Sequence, residues 1–320
     1  MYNISHKYKR FLFLLIKLVL VIGAFYFIYK KLVSNQLLSF TQLQEQLRIL
    51  LSKNGWYLIF LLLFTDANWL LEIYKWKLLA STEKKITFFE AYQQSLASLS
   101  ASIITPNRIG EYGAKALFFK KKSRKKIMLL NFLGNMNQLA VTIVFGIIGS
   151  IFLVTNYTIL IPTLNFKKLF LLIATIIMLY FFCIKFRIVK TIKIYLNKII
   201  VFLKNISTKI YFKTLILSLL RYIVFSHQFY FLLRLFGVET DYFTLINLIF
   251  CVYFIASVIP SLTIFDWAIK GSVAILIFNF IELNLLTIVT TTTIMWILNF
   301  AFPALIGSIF VLNFKLPDTK

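Results

Sequence analysis

The sequence predicts an all-α polytopic membrane protein made of two inverted repeats. Each repeat is expected to hold three transmembrane helices, one re-entrant helical hairpin and an interfacial helix. Three observations lead there. First, the 320-residue chain is 60% hydrophobic and only 14% charged, with a mean hydropathy of +0.84, more apolar surface than a soluble domain can hide. Second, the chain echoes itself. Ser102, Glu111-Tyr112 and Lys115 are answered by Ser257, Asp266-Trp267 and Lys270, each 155 residues further on, and Ile148-Gly149-Ser150-Ile151-Phe152 returns as Ile306-Gly307-Ser308-Ile309-Phe310. Third, the basic residues are confined to a few stretches, which fixes how the chain threads the bilayer.

The elements follow in order. Apolar runs of about 18 residues or more mark spanning helices. In the first repeat, residues 1–155, these cover about 11–33, 56–74 and 127–154; in the second, 156–320, about 168–186, 214–236 and 286–312. Lys7, Lys9 and Arg10 precede the first run, which is too long for a signal-peptide core and lacks a small-x-small cleavage site. It is expected to be a retained signal anchor. Basic stretches at the N-terminus, at Lys75, Lys77, Lys84 and Lys85, at Lys120–Lys126 and throughout 185–213 are assigned to the cytoplasm. Residues 155–167, 237–241 and 281–285 are nearly neutral or acidic and are assigned outside. Because basic runs flank 87–119 on both sides, that stretch must begin and end inside, as a re-entrant hairpin turning near Pro106. Its counterpart, 242–280, dips in from the outside. Three crossings per repeat invert the second repeat relative to the first and leave both termini cytoplasmic in a cell (inner) membrane. Residues 36–52 and 188–205 alternate apolar and polar positions, as interfacial helices or, for the second, a plain cytoplasmic linker.

Composition excludes some chemistry. Cys183 and Cys251 both lie in apolar segments, and with only His6 and His227 no ordinary metal site can be assembled. No cofactor is expected. The net charge of +24 is expected to meet anionic lipid headgroups, not nucleic acid.

Broken backbone inside a bilayer must be buried in protein or face water, so chemistry is expected at the hairpin tips. Thr105-Pro106-Asn107-Arg108 interrupts one helix, and Pro260-Ser261-Leu262-Thr263 the other. Asn107 suits an N-cap, and Thr263 with Asp266 resembles a capping box. The helix N-termini that follow favour a phosphate. Arg108 either grips it with two donors or pairs with Glu111 or a carbonyl. Glu111/Lys115 and Asp266/Lys270 are acid-then-base pairs at i,i+4, which either bind ligand or neutralise each other. Pro106, Asn107, Arg108, Glu111, Lys115, Thr263, Asp266 and Lys270 therefore form the candidate headgroup site. Asp66, Glu72, Asn135, Gln138, Arg221 and His227 form a candidate secondary polar path. Asn131, Asn135, Asn137 and Gln138 either join helices or line that path, and Thr290–Thr293 are expected to bond back to their own helix.

At these residues the chain resembles the membrane domain of lysylphosphatidylglycerol synthases, the flippase-like integral membrane proteins. Pro106-Asn107-Arg108-Ile109-Gly110-Glu111 is similar to that family's Pro-x-x-x-Gly-Glu turn, and Ile259-Pro260 followed by Gly271 extends the resemblance over essentially the whole chain. The second half departs from it. Thr263-Ile264-Phe265-Asp266-Trp267 stands where a glycine-rich turn and an Arg-Glu pair are typical. The resemblance implies lipid translocation, with Pro106, Arg108 and Glu111 as site residues and Asp266 and Lys270 as their counterparts. The soluble aminoacyltransferase domain of full-length synthases is expected to be missing, since the chain ends about eight residues past its last expected span.

The leading expectation is a lipid flippase, not an enzyme, moving a phospho- or glycolipid headgroup through a site between the repeats. Its partners would be anionic phospholipid or lipid-linked headgroups. The alternative is a non-catalytic membrane partner of a separate soluble glycosyl- or aminoacyltransferase. An intramembrane enzyme has the paired acids but no nucleophile elbow or metal spacing.

Overall fold

The computed structural model describes residues 56–103, 105, 108–158, 197, 199–259 and 266–316, with positions 22, 26, 45 and 48 in isolation. The expected spans 11–33 and 168–186, the interfacial helix 36–52 and most of 188–205 lie outside these described residues.

Every regular element among the described residues is helical. Helix α1 runs Trp56–Ala80, α2 Phe88–Ser102, α3 Ile109–Leu117 and α4 Arg124–Asn156. In the second half, α5 is Thr208–Leu235, α6 Tyr242–Val258, α7 Asp266–Phe278, α8 Leu285–Trp296 and α9 Phe302–Asn313. Four stretches are long and apolar enough to cross a membrane: α1 (25 residues), α4 (33), α5 (28) and the continuous Leu285–Asn313 (29). About 20 helical residues cross a 30 Å hydrocarbon layer. The chain is therefore an integral membrane protein.

Local chemistry explains the boundaries. Thr87 and Glu90 cap each other's backbone amides at the start of α2, and Asp241 accepts the Thr244 amide at the start of α6. The last span is not one regular helix. Residues Ile297–Ala301 form a π-helical turn between α8 and α9. Pro303 has no amide to offer the carbonyl one turn back, and the wider turn absorbs the fault.

One expected boundary needs correction. The second span was expected to end at 74, with Lys75 and Lys77 as basic flanks. Helix α1 continues to Ala80, and Lys75 is only 2% exposed within it. The reason is Glu72, one turn earlier, whose carboxylate lies 2.6 Å from the Lys75 ammonium. A buried lysine paired in this way can stay inside a helix bundle.

Packing between the halves is reciprocal. The first half's last helix, α4, packs on α6, and the second half's last described helix, α9, packs on α2; α1 packs on α5. Both copies of the repeated pentapeptide sit at these seams. A side chain at Gly149 would run into the Asn247 carbonyl and Cys251 amide of α6, and one at Gly307 into the Leu96 carbonyl and Ser100 of α2. Small residues of this kind let membrane helices approach to backbone contact. The Ser100 hydroxyl uses that proximity to donate to the Ala304 carbonyl at 2.6 Å. Within each half, α2 packs on α3 and α6 on α7.

Outside the spans, Glu83 ties the end of α1 to the start of α4, accepting from Ser123 Oγ at 2.7 Å and Lys126 Nζ at 3.0 Å. Burial alone would raise the Glu83 pKa, but the Ser123 and Lys126 hydrogen bonds outweigh it and hold the carboxyl below its ordinary value. A depressed carboxylate stabilises above its unfolded pKa, and the contribution fades as pH falls through the depressed value.

Gly149→Leu and Gly307→Leu should each lower the melting temperature in detergent, because overpacking a closed seam costs about 1–3 kcal/mol. Gly113 has no heavy atom within 4 Å of where a Cβ would stand. Gly113→Ala should therefore raise stability by about 0.5–1 kcal/mol.

Candidate headgroup site

The site is assembled from both halves at the centre of the bundle. Its first part is the start of α3. Arg108 occupies the N-cap position in a left-handed conformation (φ 57°) without a side-chain cap bond. The capping falls to Thr105, whose hydroxyl accepts the Gly110 amide at 3.0 Å. The expected N-cap, Asn107, lies outside the described residues, as do Pro106 and Thr263. A left-handed arginine is uncommon and costs on the order of 1–3 kcal/mol. It directs the chain so that the guanidinium lies 3.9 Å from Asp266 of α7 and over the Phe300 ring, 5.4 Å from its centroid. Arg108 therefore pairs with the opposite half and not with Glu111.

Both predicted acid–base pairs form. Lys115 Nζ lies 2.7 Å from Glu111 Oε1, and Lys270 Nζ lies 2.8 Å from Asp266 Oδ2. Lys115 is buried and also donates to Asn131 Oδ1 at 2.8 Å, with the Trp76 ring beneath it at 4.4 Å. Trp76 is itself fixed by Gln94, whose side-chain oxygen accepts the indole N–H at 2.8 Å.

A second network ties α1 to α5. Glu72 Oε2 meets both Lys75 Nζ and Arg221 Nη1 at 2.6 Å. The Lys75 contact is short but not aligned as a hydrogen bond, so charge holds it. Arg221 Nε donates to Asn68, Asn68 to Asn299, and Asn299 to Gln228, at 2.9, 2.7 and 2.8 Å. Gln228 ends the chain by donating to the Leu61 carbonyl and the Thr65 hydroxyl. Buried polar groups joined in sequence like this are far less costly than isolated ones.

Two cavities open between these networks, of about 320 Å³ and about 490 Å³. Arg108, Gln138, Arg221 and Asp266 stand on the walls of both. Lys270, Thr292 and Asn299 line the smaller one with Phe225, Trp267 and Phe300; Glu72, Glu111, Tyr112, Lys115 and Asn135 line the larger. Both amide atoms of Gln138 are buried without a hydrogen-bond partner among the described residues.

A family model described as the lysylphosphatidylglycerol synthase TM region matches residues 14–307. The chain belongs to that family. Neither a curated protein nor a solved structure matches it. Membership ties this synthase-TM chain to membrane proteins of lipid modification or translocation.

Not every predicted residue of this family member reaches the cavities. Arg108, Glu111, Lys115, Asp266, Lys270, Glu72, Asn135, Gln138 and Arg221 line them. Asp66 is exposed on the other face of α1 and lines neither. His227 lines neither cavity; it bonds the Ile223 carbonyl and the Tyr242 hydroxyl instead. Three asparagines join helices: Asn131 through Lys115, Asn135 through Tyr112 and Asn137 through Thr214. Of the four threonines expected to bond back to their own helix, Thr292 and Thr293 do so, to Ile288 and Val289, whereas the Thr290 and Thr291 hydroxyls find no partner among the described residues. Sequence reasoning missed Lys75 and Asn299. The signal for Asn299 is a lone amide four residues before Pro303 in an otherwise apolar run.

Removing Glu72 leaves two cations without their carboxylate. Glu72→Leu should destabilise the protein by about 3–5 kcal/mol, the range for breaking a buried ion pair. Glu72→Leu combined with Lys75→Leu should recover part of that loss, and thermal unfolding in detergent measures both.

Proposed function

We propose that the protein translocates a lipid headgroup through the paired cavities, with the lipid tails left in the bilayer. The observation that carries this reading is the Arg108–Asp266 contact, which joins the two halves inside a charged cavity of a membrane protein. Ionisable groups are costly in hydrocarbon and are kept where a polar species must bind or pass. Eight of them converge here, where burial alone would have favoured apolar packing. The family's link to lipid modification or translocation points the same way.

The architecture proposed with it is a pair of inverted repeats, residues 1–155 and 156–320, each with a hairpin that re-enters the membrane from its own side. The reciprocal seams at Gly149 and Gly307, the packing of α1 on α5, and the matching i,i+4 pairs support it. In this arrangement both termini are cytoplasmic. The hairpins would then approach a shared site from opposite faces, as alternating access requires.

A second reading keeps the fold and changes the role. Lys120, Lys121, Lys122, Lys125 and Lys126 form an exposed basic surface beside Glu83, suited to an acidic soluble transferase. A stoichiometric enzyme recovered with the purified protein, together with no lipid movement, would favour it.

Headgroup exposure in reconstituted vesicles tests the main reading. Arg108→Ala and Glu111→Gln should each slow lipid movement by about tenfold or more, the loss expected when a charge-assisted contact is removed. Parental rates in both would sink the site assignment. In a cysteine-free background, Lys121→Cys should react only with reagent on the cytoplasmic side and Asn284→Cys only with reagent outside. Labelling of both from one side would overturn the inverted arrangement.

A further inference from the structure

We infer that the headgroup carries a phosphate with two negative charges, a phosphomonoester or a diphosphate, and not a singly charged phosphodiester or a cationic aminoacyl ester. This rests on the translocation reading and names its cargo.

The inference comes from the charge inventory. The chain has eleven acidic residues, and ten of them are described, the exception being Asp318 in the C-terminal tail. Only Glu72, Glu111 and Asp266 face the cavities. Against these three carboxylates stand Arg108, Lys115, Arg221 and Lys270 on the walls and Lys75 directly behind Glu72. The hairpin-tip residues 104, 106, 107 and 260–265 bear no ionisable side chain. Among the described residues, four wall cations and Lys75 behind them thus stand against three anions, an excess of two positive charges.

Position sharpens the point. Lys75 and Arg221 share one oxygen of Glu72, and Lys115 takes Glu111 for itself. Arg108 and Lys270 share Asp266. One positive charge is therefore in surplus at Glu72 and one at Asp266, and Arg221 and Arg108 bring both to the walls of the two cavities, beside Gln138. In a low-dielectric site each uncompensated charge is costly. A dianion removes both, a phosphodiester removes one, and a lysyl ester adds another.

Binding to the purified protein in neutral detergent tests this by thermal shift. The probes are short-chain phosphatidic acid, short-chain phosphatidylglycerol, the lysyl ester of the latter, farnesyl diphosphate-linked N-acetylglucosamine, whose two phosphates carry one charge each, and inorganic phosphate. At pH 8, phosphatidic acid should bind at least about tenfold tighter than phosphatidylglycerol, a modest share of one extra charge interaction, and the lysyl ester weakest. The advantage of phosphatidic acid should shrink at pH 5, since a phosphomonoester dianion takes up a proton near pH 6 and becomes a monoanion while the diester is unchanged. Lys270→Gln should narrow the gap between the two lipids, whereas Lys209→Gln, on the exposed start of α5, should leave it intact. Phosphatidic acid ahead of the diphosphate-linked sugar assigns the monoester, and the reverse order the diphosphate. Equal affinity for phosphatidic acid and phosphatidylglycerol, or preference for the lysyl ester, would overturn the inference. So would inorganic phosphate binding as tightly as the lipids. Because this measures binding, the dianion ranking can stand even if reconstituted vesicles show no lipid movement, in which case only the translocation reading fails.

Discussion

One carboxylate oxygen carries more of this structure than any other atom. Glu72 Oε2 receives both the Lys75 ammonium and the Arg221 guanidinium, and so binds the central helix of the first half to that of the second. In water such contacts are weak because solvent screens them. Inside a helix bundle in a membrane the same charges cannot separate without leaving one of them bare. The packing of α1 on α5 is held by that constraint, and the amide chain through Asn68, Asn299 and Gln228 extends it along the same interface. The cavities lie against this centre, with Arg221 on the walls of both and Glu72 on the larger.

The hairpin tips are the complement. Arg108 sits in a left-handed turn, a conformation that stores strain and persists only where its surroundings hold it. Its partner Asp266 comes from the other half and stands 3.9 Å away, while Asp266 keeps a closer contact with Lys270.

Much of this was legible in the sequence, for reasons specific to particular residues. The constant spacing between Glu111/Lys115 and Asp266/Lys270 located both ion pairs, because i,i+4 geometry fixes the contact once the helix is granted. The four described spans followed from apolar run length. The burial of Lys75 was not foreseen, because a basic residue near the end of an apolar run ordinarily marks an exposed membrane edge. Only the three-dimensional position of Arg221 explains why Glu72 and Lys75 belong inside. Asp66 and Glu72 fall on different faces of α1, and the local sign that separates them is Lys75, one turn after Glu72. The π-helical turn at Ile297–Ala301 was also hidden, because Pro303 announces a fault but not the way the backbone absorbs it.

The reciprocal seams have a consequence for how the protein is made. The first hairpin arm, α2, packs along α9, the last helix described. While the chain is being inserted, α2 must wait for some two hundred further residues before its neighbour leaves the ribosome. Until then the Leu96 carbonyl and Ser100 hydroxyl lack the surface that Gly307 will close over. That seam therefore closes only after both halves have been made.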